Sequence, residues 1–136
     1  MQSMSLKKEL LIFFAVGIAA LLVHLFVVWL VVQLGHLHPL DANILGFLVA
    51  VNVSYFGHSL LSFNRRNTLS WRAFLKFFSI ASATFVANQI IYYFGLKWFG
   101  DALYLPMLAV VLILVGAITY LLSKFWVFAA HEHASK

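Results

Sequence analysis

The chain has 136 residues, of which 64% are hydrophobic and only 10% charged, with a mean hydropathy of +0.98. Too few polar side chains are present to cover a water-facing surface, which excludes an ordinary soluble domain. Cysteine is absent, which excludes disulfide frameworks, thiolate metal sites and thiol nucleophiles, and the formal charge of +5 gathers at the ends of apolar runs, where it reports topology rather than nucleic-acid binding.

A helix needs about 20 apolar residues to cross the hydrocarbon core of a bilayer. The first such run covers about residues 10–34, with His24 and Gln33 as its strongly polar interruptions. It is too long and too apolar for a cleaved signal sequence and no small-residue cleavage site follows it, so it is expected to stay as an anchor. A short connection, 35–41, leads to a second run at about 42–63. Arg65 and Arg66 lie in the next connection, 64–71, before a third run at about 74–98. A last connection, 99–102, precedes the fourth run at about 103–128. The pattern predicts an all-α membrane protein, with residues 1–136 as a single transmembrane domain. Lys7, Lys8, Arg65, Arg66, Arg72, Lys76, Lys124 and Lys136 fall on one side and Lys97 on the other. The positive-inside rule therefore places both termini in the cytoplasm. Trp71 and Trp126 near that interface, with Trp29, Trp98 and Tyr104 near the opposite one, agree with this orientation.

The second half of the chain repeats the first. An offset of 64 lays Phe13-Phe14 over Phe77-Phe78, Ala19 over Ala83 and His24 over Asn88; an offset of 65 lays Gly35 over Gly100, Ser54-Tyr55 over Thr119-Tyr120 and Phe63 over Phe128. Each half is a two-helix hairpin, about 10–63 and about 74–128. An even number of spans per half gives two parallel repeats related about the membrane normal. Aromatic and small residues align easily in any apolar sequence, so a second signal is needed. It comes from residues 54–63 and 119–128, together with Phe13-Phe14-Ala15-Val16-Gly17. These segments resemble the GtrA-like family of small four-helix membrane proteins along nearly the whole chain. In that family each hairpin closes on an aromatic, polar, basic, Trp-x-Phe pattern. Lys124-Phe125-Trp126-Val127-Phe128 is the nearer copy, whereas Ser59 stands at the basic and Leu61 at the tryptophan position of the other. His24 stands where asparagine is common in the first helix, and Asn88 keeps that residue in the third. The resemblance implies movement of polyprenyl-phosphate-linked sugars across the bacterial inner membrane for cell-surface polysaccharide synthesis or modification.

Polar side chains at bilayer depth are costly and need a reason. Asn52, Tyr55, Ser59 and Ser62 share one stripe of the second helix, as Gly116, Thr119, Tyr120 and Ser123 do on the fourth. Two such stripes form a candidate groove for a sugar and a phosphate. Its substrate-binding residues are expected to be His58, Lys124, Asn52, Tyr55, Ser59, Asn88, Thr119, Tyr120, Ser123, Arg65 and Arg66. Each has a competing structural explanation. Hydroxyls and amides bridge neighbouring helices for about 0.6 kcal/mol on average, Lys124 extends to the interface as a topology anchor, and the arginines contact anionic lipid. His24 reads as satisfying a neighbour, and Ser79, Ala83 and Ala87 as a site of close helix packing. Asn43 and Gln89 complete the polar set within the spans. The pairs His36/His38 and His131/His133 have metal-ligand spacing without further ligands, so no metal site is expected.

No phosphate-binding G-x-x-x-x-G-K-[ST] loop is present, no Asp or Glu lies mid-span as a proton-coupled drug exporter requires, and no acid, base and nucleophile assemble. Neither an enzyme nor a cofactor is expected. Two functions remain: a flippase for lipid-linked sugar, or a non-catalytic anchor for a membrane glycosyltransferase that docks on the Arg65-Arg66 loop. Four helices enclose little volume, so a homodimer with both copies inserted in one orientation is expected, in contact with membrane lipid.

Overall fold

The computed structural model describes residues 6–57 and 71–134; the side chains of Leu6, Glu9, Ala73, Tyr120 and all residues after Leu121 lie outside the description. Four helices make up the described chain: α1, Leu6–Gly35; α2, Pro39–Gly57; α3, Trp71–Phe99; and α4, Tyr104–Ala134, preceded by a single 3-10 turn, Asp101–Leu103. All four are long and apolar enough to cross a membrane. The spans expected from hydropathy are recovered over the described residues, with 58–63 of the second lying outside them, and all four helices run beyond the expected bounds at one end or both. A helical backbone continues past its apolar stretch because it satisfies its own hydrogen bonds in lipid and headgroup region alike.

The connections explain themselves locally. His38 caps α2: its carbonyl oxygen accepts the Ala42 N–H at 3.0 Å and its Nδ1 accepts the Leu40 N–H at 3.2 Å. Pro39 follows as the first helical residue, where its missing N–H costs nothing. At the other turn, the Gly100 N–H donates to the Leu96 carbonyl at 2.8 Å with φ of 87°, the left-handed ending that glycine adopts without strain. His38 Nε2 lies 3.7 Å from the Asp101 carboxylate, so the two turns meet at one end of the bundle. That end is called the hairpin end, and the opposite one the terminal end.

The helices pack in a ring, α1 on α2, α2 on α3, α3 on α4 and α4 on α1. Val28, Ala42, Tyr92, Leu96, Leu108, Val111 and Val115 form the core, most of it in the hairpin half. Polar groups tie the same half: Tyr92 donates its hydroxyl to the Tyr104 carbonyl at 2.8 Å, and Gln33 Nε2 donates to the Tyr104 hydroxyl at 2.9 Å. Large apolar side chains such as Leu22, Phe26, Val86, Val110 and Ile113 are exposed on the outside, the inside-out arrangement of a lipid-facing surface. Ser79, Ala83 and Ala87 are also exposed, and Ser79 bonds its own helix at the Leu75 carbonyl. The close packing expected of that stripe is not made within the chain. Close approach occurs instead at Gly46, where an added Cβ would stand 2.9 Å from Val28 Cγ2 and 3.0 Å from the His24 carbonyl oxygen.

Candidate functional site

Near the middle of α1 and α3, two polar side chains turn inward. His24 and Asn88 are 5% and 3% exposed, burial that a lone polar group in an apolar bundle does not tolerate. Asn43 of α2, fully buried, satisfies both. Its Oδ1 lies 2.6 Å from His24 Nε2, and its Nδ2 donates to Asn88 Oδ1 at 3.0 Å and to Gln89 Oε1 at 2.7 Å. Gln89 Nε2 passes the chain on to the Leu40 carbonyl at 2.9 Å. Three helices are thereby joined by one layer of side-chain hydrogen bonds. His24 does satisfy a neighbour, and that neighbour is an asparagine side chain 19 residues away.

On the terminal side of this layer the bundle opens into a cavity of about 380 Å³ between all four helices. Its deep end is lined by His24, Phe47, Asn88 and Leu112, and its rim by Gly17, Ser54, Phe77 and Thr119, since the helices alternate in direction. The wall is mostly apolar, with the hydroxyls of Ser54, Thr84 and Thr119 set into it. Thr84 donates its hydroxyl to its own helix, at the Ile80 carbonyl. Asn88 accepts through its oxygen, while its amide N–H₂ makes no hydrogen bond among the described residues, and the residue lines the cavity. Among the described residues of the wall there is no Lys, Arg, Asp or Glu.

The wall is built from paired positions. Gly17 and Ala81, Ala20 and Thr84, Leu21 and Phe85, and His24 and Asn88 are each 64 residues apart; Phe47 and Leu112, Ala50 and Val115, Val51 and Gly116, and Ser54 and Thr119 are each 65 apart. These are the offsets that align the two halves of the sequence. The polar layer departs from the pairing. The position paired with Asn43 is Leu108, fully buried in the core, and the one paired with Gln89 is Leu25, packed against it. Hydrogen bonding therefore lies off the centre of the bundle, toward α2 and α3.

Several residues expected at the site are placed by the structure. Asn88 and Thr119 line the cavity. Asn52 is exposed and donates to the Leu48 carbonyl of its own helix at 2.7 Å, so it faces outward. Tyr55 is buried among rings, 5.1 Å from Phe74 and 5.5 Å from Phe77 by centroid, and its hydroxyl has no partner among the described residues. The α2 stripe thus does not share one environment, and Ser54 rather than Asn52 reaches the cavity. Tyr120, Ser123 and Lys124 lie on α4 with side chains outside the description, and His58, Ser59, Arg65 and Arg66 lie outside the described residues. Sequence reasoning left Asn43, Ser54, Thr84 and Gln89 out of the site. The pairing of His24 with Asn88 was the available signal, because it marked the level of both helices at which a shared partner had to stand.

A family model described as GtrA/DPMS, transmembrane domain, matches residues 12–128. The chain belongs to that family, and is a multi-pass membrane protein of lipid-linked sugar processes. No curated protein and no solved structure matches it.

Proposed function

We propose that the protein moves a polyprenyl-phosphate-linked sugar across the bacterial inner membrane, for synthesis or modification of cell-surface polysaccharide, with both termini in the cytoplasm. The observation that carries this reading is the central cavity, ending near the middle of the helices on a hydrogen-bonded layer and walled by paired positions of two hairpins. Two parallel repeats facing one another supply a path along the axis they share, and the prenyl chain stays in lipid outside it. A protein that only anchors a partner has no need of an internal cavity or of amides at its floor, since buried polar groups in lipid are tolerated only at a cost. Positive charge belongs at the cytoplasmic mouth, where Arg72 and Lys76 are exposed at the start of α3; Lys124, His58, Arg65 and Arg66 are assigned to the same side by the charge pattern of the sequence. There the phosphate first meets the protein, and a charge-assisted bond to it is worth about 1.5–3 kcal/mol.

The test is transport of a polyprenyl-phosphate sugar by the purified protein in proteoliposomes. Lys124→Ala and His58→Ala are each expected to lower transport at least about tenfold at unchanged membrane insertion, with Lys124→Arg retaining much of the rate. Equal rates in both alanine variants would remove those two residues from the path. No transport by the wild type, with retained association to a glycosyltransferase, would transfer the function to anchoring.

A further inference from the structure

The cavity and the charges lie at different levels, and this separates the two parts of the headgroup. Among the described residues lining the cavity, none is charged apart from the titratable His24. A phosphate carried into such a wall loses its water without gaining a cation, which is unfavourable at bilayer depth. A neutral sugar meets a different balance. It offers hydroxyls to the free amide N–H₂ of Asn88, which is 97% buried, and to the hydroxyls of Ser54 and Thr119. Its apolar C–H face meets the rings of Phe47, Phe77 and Phe85. Phe47 and Phe85 are stacked on each other at 4.4 Å, which holds them as one rigid surface. A volume of about 380 Å³ lies at the small end of the roughly 300–1,000 Å³ spanned by small-molecule pockets, which suits a single ring.

Resting on the transport reading above, we infer that the cavity is a binding site for one neutral monosaccharide, held by Asn88 and the Phe47/Phe85 surface, while the phosphate of the same lipid stays outside it, at the level of the exposed Arg72 and Lys76. The specificity that follows is for an uncharged sugar ring. A carboxylate on the sugar, as in a hexuronate, loses its water without meeting a cation among the described residues of the wall, and is rejected. Specificity of this kind comes from the penalty on the wrong ligand as much as from bonds to the right one. Asn43 has a positioning role, since its Nδ2 holds the Asn88 oxygen and leaves the Asn88 amide nitrogen free.

Binding to the full chain in lipid nanodiscs tests this with three short-chain prenyl phosphates, one bare, one bearing a neutral hexose and one bearing a hexuronate. The hexose lipid is expected to bind at least about tenfold more tightly than either of the others, the discrimination that a buried hydrogen-bonding group supplies. Gly116→Phe fills the cavity from a position with no atom within 4 Å of an added Cβ, and leaves the polar layer intact. It is expected to bring the hexose lipid to the level of the bare one and to leave the bare lipid unchanged. Asn88→Leu is expected to do the same, and if it does not fold, Gly116→Phe still decides. A bare prenyl phosphate that binds as tightly as the hexose lipid, with Gly116→Phe weakening both, would make this a prenyl-chain cavity and overturn the inference. So would a hexose preference that survives Gly116→Phe. Transport of the hexose lipid in proteoliposomes under either result would leave the transport reading standing, whereas a wild type that binds and moves none of the three lipids overturns both.

Discussion

The two halves of the bundle solve the same problem in opposite ways. In the hairpin half, Val28, Ala42, Tyr92, Leu96 and Leu108 fill the space between the helices, and Tyr92, Gln33 and Tyr104 bond across it. In the terminal half, the inward positions include Gly17, Ala20, Ala50, Ala81 and Gly116, too small to fill the middle, and a cavity remains between them and the rings of Phe47, Phe77 and Phe85. The layer of His24, Asn43, Asn88 and Gln89 is the boundary. A membrane gives no hydrophobic drive to close the gap, because lipid tails are as apolar as the side chains, so packing and polar bonds alone decide which half shuts.

Glycine substitutions test this contrast most sharply. Gly46→Ala places a methyl 2.9 Å from Val28 Cγ2 and 3.0 Å from the His24 carbonyl oxygen, at the polar layer that bounds the closed half, and is expected to cost about 1–3 kcal/mol. Gly116→Ala, in the open half, meets nothing within 4 Å and is expected to add about 0.5–1 kcal/mol by restricting the unfolded backbone. Unfolding of the two variants in one detergent gives both values, and a shared sign would break the comparison. Next in size is Asn43→Leu, which leaves His24, Asn88 and Gln89 without their common partner. Three lost bonds at an average of about 0.6 kcal/mol predict a loss of about 2 kcal/mol, and a double-mutant cycle with His24→Leu measures the coupling.

Tyr92→Phe keeps the packing of the closed half and removes one bond to the Tyr104 carbonyl, so a loss of about 0.6 kcal/mol is expected in the same unfolding assay. The smallest effect belongs to Asn52→Leu. Asn52 is exposed and bonded to its own helix, and stability is expected to stay within about 0.5 kcal/mol of wild type, with sugar-lipid binding unchanged.

Legibility in the sequence followed the range of the interaction. Four runs of apolar residues are local signals, and the described helices stand on them, with α2 starting at Pro39 inside the connection expected at 35–41 and Gly100 in the one expected at 99–102. His24 and Asn88 were conspicuous as polar residues in apolar runs, and the offset of 64 already coupled them. Which residue joined them was not legible, since Asn43 lies near the start of α2 and has only Leu108 as its paired position. The stripe reading of α2 failed for a similar reason: helical spacing groups Asn52 with Tyr55, but one bonds its own helix on the outside and the other sits among Phe74 and Phe77.

Composition and hydropathy by themselves determined that the chain belongs in a membrane and crosses it four times, because the cost of a polar backbone or side chain in lipid acts residue by residue along the chain. The tertiary structure decided which inward positions close and which leave a space. That outcome depends on the size of side chains contributed by four separate helices at one level, and on a single asparagine that satisfies three partners at once, neither of which any segment of the sequence contains alone.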